Sequence, residues 1–255
     1  MQAPLANRIQ VAYVSTYPPR RCGIATFTYD LVEAVDSTGS LNQAMVIAIT
    51  DVPGAYRYED RVVMEVNQAN PKSYIEAAEW INESRVDLVN IQHEFGIFGG
   101  KEGQYLLHLL AKLKKPVVTT LHTVLSTPPR GKLSMTKEIA RRSSVLVVMA
   151  QKARDILGAS YGISPQKVVV IPHGVPYAAP QSRIRLKEKY GLKDRKVIST
   201  FGLINPGKGI EYAIEAITKV VQNHPDVIYL VLGQTHPGIQ KTMGEDYRKS
   251  LEEMV

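Results

Sequence analysis

Lys208 lies in the loop Gly202-Leu-Ile-Asn-Pro-Gly-Lys-Gly209, which follows an apolar, β-branched run at residues 197–201. Beyond the loop, Ile210, Ala213, Ile214 and Ile217 recur at helical spacing with Glu211 and Glu215 outside. A buried strand, a glycine-rich loop and a helix start offer backbone N–H groups, a helix dipole and one ammonium to an anion, most often phosphate. Gly202, Gly207 and Lys208 are the candidate anion-binding residues. The competing reading is an ordinary strand-to-helix turn with a solvated lysine. The same stretch fits G-x-x-x-x-G-K. However, Gly209 stands where a P-loop needs Ser or Thr to hold magnesium, and the strand at residues 227–232 runs into Gly233 instead of an acid. The P-loop reading is set aside.

A second set of reactive side chains follows two other strands. The strand at residues 87–91 runs into Gln92-His93-Glu94-Phe-Gly-Ile-Phe-Gly-Gly100, and the strand at residues 116–121 ends in His122-Thr123. Imidazoles at strand ends suit hydrogen bonding or proton transfer near neutral pH, and both are expected on one rim. For His93 a structural role, bonded to a backbone carbonyl, stands beside the functional one. Glu94 either orients that imidazole or is a solvated loop carboxylate. His93, Glu94 and His122 are suitable ligand types, but no i, i+4 histidine pair or cysteine spacing supports a metal.

These residues must be positioned by a repeating scaffold. The strand at residues 9–15 leads into a turn-rich loop with Arg20, Arg21, Cys22 and Gly23, then a helix at residues 25–35 with Phe27, Leu31 and Val35 at fourfold spacing. Gly23 permits close backbone approach to a ligand, and Thr26 or Thr28 is positioned to cap the helix. A helix-entry turn with surface arginines is the plainer alternative. Strands at 44–50 and 62–66 follow, then a helix at 73–84 with Ser73 as N-cap and Glu76 three residues on. A leucine-rich helix at 104–113, a strand at 144–149, a helix at 151–161 and a strand at 168–171 complete the first set. Alternating strands and helices predict an α/β domain with a parallel sheet covered on both faces, its ligands at the strand C-termini. Ile171-Pro-His-Gly-Val175 marks a domain exit, giving domains 1–175 and 176–255. The second domain is expected to end in one polar helix at 239–255.

Taken together, Phe-Gly with Pro-Gly-Lys-Gly-Ile-Glu, Leu121-His-Thr123 and Ile171-Pro-His-Gly-Val175 resemble the family 4 glycosyltransferases, retaining enzymes of the GT-B fold. The resemblance implies two Rossmann-like domains, a metal-independent transfer with no cofactor, and a nucleotide-diphosphate sugar as donor substrate. It places Lys208 on the donor diphosphate, Gly23 near the leaving phosphate, and His122 and His93 beside the sugar as the catalytic-site residues. Glu94 then has a third reading, contact with a sugar hydroxyl. Leu203 stands where the family usually has arginine, Cys22 where it has a glycine, and His173 where it has asparagine. The family's later Glu-x7-Glu motif has no counterpart, so the second domain is expected to be incomplete and the chain inactive alone.

Composition sets outer bounds. The chain has 255 residues, 44% of them apolar, enough for one large core or two modest ones. A net charge of +7 suits a nucleotide diphosphate, an acidic lipid surface or nucleic acid, and the resemblance favours the first over nucleic acid. Cys22 is the only cysteine and the start carries no apolar signal core, which leads us to expect a cytoplasmic protein. The basic segment 127–142 reads as a solvated helix face or as peripheral contact with anionic membrane. The acceptor is expected to be a saccharide or a lipid-linked molecule. A GT-B sugar phosphorylase and a non-catalytic α/β binding or assembly module are the rival functions.

Overall fold

A computed structural model describes residues 8–175 and 177–255. The chain divides into two compact units, Met1–Pro176 and Tyr177–Val255. The first contains β1 (Val11–Ser15), α1 (Gly23–Ser37), β2 (Met45–Thr50), β3 (Val62–Asn67), α2 (Pro71–Glu83) and β4 (Leu88–His93). It continues with α3 (Leu106–Lys112), β5 (Val117–Leu121), α4 (Arg130–Arg142), β6 (Val145–Val148), α5 (Gln151–Tyr161) and β7 (Val168–Val170). Its seven strands form one sheet in the order β3-β2-β1-β4-β5-β6-β7, every neighbouring pair parallel. All five residues of β1 are buried without alternation, which requires helices on both faces.

Strand order reverses between β1 and β4. In doubly wound sheets, loops leaving such a pair diverge to opposite faces and open a crevice at their C-terminal ends. The loops carrying Gly23 and Glu94 leave these two strands, so chemistry belongs at their shared rim.

Several local expectations are corrected. The α2 cap is Asn70, whose side chain accepts from Lys72 N at 3.1 Å with Pro71 at the first helical position. Ser73 is buried one turn in, its hydroxyl on the Asn67 and Asn70 carbonyls. Neither Thr26 nor Thr28 caps α1. Cys22 occupies that position without a side-chain capping bond, its Sγ lying 3.5 Å from Thr16 Oγ1, and the buried stripe is Ala25, Thr28 and Val32. Phe27, Leu31 and Val35 line its partly exposed flank. β4 runs two residues further than expected and takes in Gln92 and His93.

The second unit holds α6 (Arg183–Lys189), β8 (Lys196–Phe201), α7 (Ile210–Asn223), β9 (Val227–Leu232), α8 (Pro237–Met243) and α9 (Asp246–Glu252). β8 and β9 are parallel, and Ile204, Ile210, Ile214 and Leu251 form the local core with Tyr229 and Val231 against it. The expected burial of β8 is not found. Register pairs Phe201 with Leu232 on the face away from Tyr229, and Phe201 is 84% exposed. The expected single terminal helix is two, broken at Gly244, whose φ of 59° suits glycine alone. Beside the break, Glu245 accepts from the Thr235 hydroxyl, which draws the chain back onto the loop after β9.

Candidate functional site

α1 begins immediately after the loop from β1, and Gly23 is its first residue. A Cβ built there meets nothing within 4 Å, so the backbone N–H groups of the first turn stand clear. With no side-chain cap, this helix end presents unpaired donors and a partial positive charge. Thr28 fixes the helix to β1, its Oγ1 lying 2.8 Å from Ser15 Oγ and 2.7 Å from the Ile24 carbonyl. Substitution Thr28→Val should cost about 1–2 kcal/mol by leaving the buried Ser15 hydroxyl without this partner. The shift in the denaturation midpoint of Trp80, the single tryptophan, measures it.

Arg20 has a structural position. Its guanidinium donates to the Ile49 carbonyl at 2.8 Å and to Gln68 Oε1 at 2.9 Å, and lies 3.6 Å from Asp51. Gln68 in turn donates to the Gly96 carbonyl. The loops after β1, β2, β3 and β4 are thereby tied to one another.

The two imidazoles share a rim but not a face. Gln92 pairs with Thr120 and His93 with Leu121 across β4 and β5, and His122 N donates to the His93 carbonyl. Strand alternation therefore sends Gln92, Thr120 and His122 to one side and His93 with Leu121 to the other. His122 is partly exposed and its Nε2 lies 2.9 Å from Gln92 Oε1. Phe27 packs edge-on between His122, at 4.7 Å, and His173, at 5.1 Å between ring centroids. Burial, seconded by the charge His173 would carry, pushes the His122 imidazole down to about 4, so it is neutral at pH 7.

His93 lies in the interior, with zero exposure and neither ring nitrogen partnered. Phe98 stacks on it and Phe95 meets its edge at 4.9 Å. Burial first, and His122 second, push it down to about 3. Its expected place beside the sugar is corrected: a fully enclosed ring has no surface for a ligand. Glu94 does not orient this imidazole. Its Oε1 accepts from Phe95 N at 2.9 Å and its Oε2 from the Thr123 hydroxyl at 2.5 Å, which clamps the β4 loop to the residue after His122.

The basic segment forms α4, with Met135, Thr136, Ile139 and Ala140 turned inward. Arg141 and Arg142 both bond Glu138, and hydrogen bonds from both hold its carboxyl down to about 2. Lys132 lies 3.9 Å from Glu102 and 5.0 Å from the Phe95 ring centroid. Among the described residues, no His, Cys, Asp or Glu cluster is placed to hold a metal ion, and no helix is long and apolar enough to cross a membrane.

In the second unit, Lys208 ends a 3₁₀ turn, Pro206–Lys208, and Gly209 at φ 60° leads into α7. The Lys208 ammonium donates to the Phe201 carbonyl at 3.0 Å. A Cβ on Gly202, whose φ is 117°, would stand 2.5 Å from that nitrogen, and a Cβ on Gly233 would collide with the Gly202 carbonyl. Glycine at 202 thus allows the ammonium to rest over the end of β8. Of its three donors, one is used here and two remain for an anion. Gly207 is exposed, with Asn205 Oδ1 3.0 Å from the position of a Cβ. His236 caps α8 through its Nδ1, accepting from Gly238 N.

The model of glycosyltransferase family 4 matches residues 22–178, more than half of the 255. The chain belongs to glycosyltransferase family 4. As a member of that family, it is 25% identical over 119 residues to the alpha-D-kanosaminyltransferase of Streptomyces kanamyceticus, an alignment covering 42% of this chain and 30% of that protein. The structure of Anabaena HepE in complex with UDP superposes with a TM-score of 0.69 at 17% identity, over 96% of this chain and 65% of HepE. A glycosyltransferase from Rickettsia africae superposes at 0.65 with 18% identity, over 97% of this chain and 65% of its own. The expected GT-B fold is thus found. The chain spans about a third of the curated relative and about two thirds of these solved structures. In this family 4 chain, sequence reasoning missed Phe27, Gln92 and Thr123 as partners at the rim. Asn90 and Gln92, two amides alternating with the apolar Val89 and Ile91, were the available signal.

Proposed function

We propose that the protein carrying this chain transfers a sugar from a nucleotide-diphosphate donor, with retention of configuration, to a saccharide or lipid-linked acceptor. The observation that carries this reading is His122: a neutral imidazole, held by a buried amide, on the rim where strand order reverses. Within the second unit, the Lys208 ammonium keeps two donors for an anion such as a diphosphate. Within the first unit, taken by itself, the open α1 terminus at Gly23 suits phosphate oxygens and His122 suits a sugar hydroxyl. With a lipid-linked acceptor, the exposed Arg130 and Lys137 of α4 would contact anionic headgroups. Family membership and the UDP bound to HepE support uridine diphosphate as the first nucleotide to try.

Calorimetric titration with UDP, GDP, ADP and inorganic phosphate tests the reading. Tight binding of one nucleoside diphosphate is expected. Binding of phosphate alone would favour a phosphorylase, and silence throughout a scaffold. Lys208→Met should weaken nucleotide binding by about 10- to 100-fold, the scale of one charge-assisted contact. Its melting temperature should stay near that of the parent, because the Lys208 hydrogen bond is exposed.

A further inference from the structure

Gln92 is fully buried, and its three hydrogen bonds determine which way its amide faces. Nε2 lies 2.5 Å from Asn90 Oδ1 and 3.3 Å from Thr120 Oγ1, both able to accept. The NH₂ group is therefore committed to β4 and β5, and the carbonyl oxygen is what meets His122. A carbonyl can only accept, so the ring nitrogen facing it must carry a proton.

We infer that Gln92 is a positioning residue that fixes His122 as the neutral Nε2–H tautomer, leaving Nδ1 as an acceptor for a hydroxyl of the bound sugar. The choice of ligand group rests on the sugar-transfer reading; the choice of tautomer does not. No described residue bonds to Nδ1, and the Phe27 ring packed nearly perpendicular to the imidazole offers no strong competitor. A neutral acceptor nitrogen repels phosphate oxygens, which have no proton to give. His122 is thereby matched to a donor group, and the anion is left to other residues.

The titratable groups around this imidazole are His93 on β4, Glu94 just after it and His173 beyond β7. None of them touches Nε2, so a change at Gln92 has a distinct signature. Nitrogen-15 spectra of histidine-labelled protein without ligand should show His122 as the Nε2–H form at pH 7. In Gln92→Glu a carboxylate faces that proton, and the His122 titration midpoint should rise by about one to two pH units. Gln92→Leu should lose the single-tautomer signature. It should also lower affinity for the nucleotide sugar by about tenfold while leaving affinity for the free nucleoside diphosphate unchanged.

An Nδ1–H or mixed tautomer in the parent protein overturns the inference, with no variant needed. So does an unmoved midpoint in a folded Gln92→Glu protein, or equal losses of nucleotide and nucleotide-sugar binding in Gln92→Leu. If the tautomer is as stated and no nucleotide binds, the proposed function fails and the positioning role stands.

Discussion

Lowering the pH from 7 to 5 is expected to remove about 3 kcal/mol of stability from the first unit, through two imidazoles that fold neutral. Burial holds His93 down to about 3 and His122 down to about 4. In the unfolded chain both return to about 6.5. Between these values the unfolded state binds more protons than the native one, so stability falls as pH falls. The loss starts just below pH 7 and ends once the native imidazoles themselves protonate. His93 contributes about 2 kcal/mol over this range and the partly exposed His122 somewhat less. The depressed Glu138 carboxyl, at about 2, also loses stabilising charge on acidification, but in a lower window. Urea unfolding followed by Trp80 fluorescence at pH 7, 6 and 5 measures the slope. Non-titrating His93→Leu should lose more than half of it. An unchanged slope in that variant would show that His93 does not fold neutral.

Gly99→Ala should destabilise the first unit by about 3 kcal/mol or more, because the added methyl meets backbone. It would run into the Gln68 carbonyl and stand 2.6 Å from Tyr105 Cδ2. Neither can yield cheaply. The buried Tyr74 hydroxyl bridges Gly99 N and the Gln68 carbonyl, and Tyr105 N donates to the Gly99 carbonyl. Gly96→Ala is the matched control: three residues earlier in the same loop, its Cβ meets nothing within 4 Å, and the change should stay within about 0.5 kcal/mol. Equal midpoints for the two variants would contradict the tight packing of this loop.

The fold was legible where a pattern is set by local chemistry. α5 and β9 fall on the residues expected because Gly162, in the left-handed region, ends the one and Gly233 follows the other. Strand-helix alternation was enough to require a parallel sheet. The family signature followed from Lys208, His122 and the turn at Pro172. The errors came where long-range pairing decides. Ser73 and Asn70 both satisfy the capping preference, and Pro71 at the first turn selects Asn70. His93 sits next to a glycine-rich loop, yet its side is set by the β4–β5 register, which alternation reveals only once β4 is known to reach residue 93. Arg20 carries the charge of a ligand-binding residue, and nothing local announces that its acceptors lie 29 and 48 residues away.

That last contact has a thermodynamic consequence. Because Arg20 and Gln68 lace four strand-end loops into one collar, the first unit's rim is already ordered before any ligand arrives. Association at this rim should therefore freeze few backbone torsions. Its heat-capacity change should reflect surface covered by the ligand, with little contribution from loops folding around it.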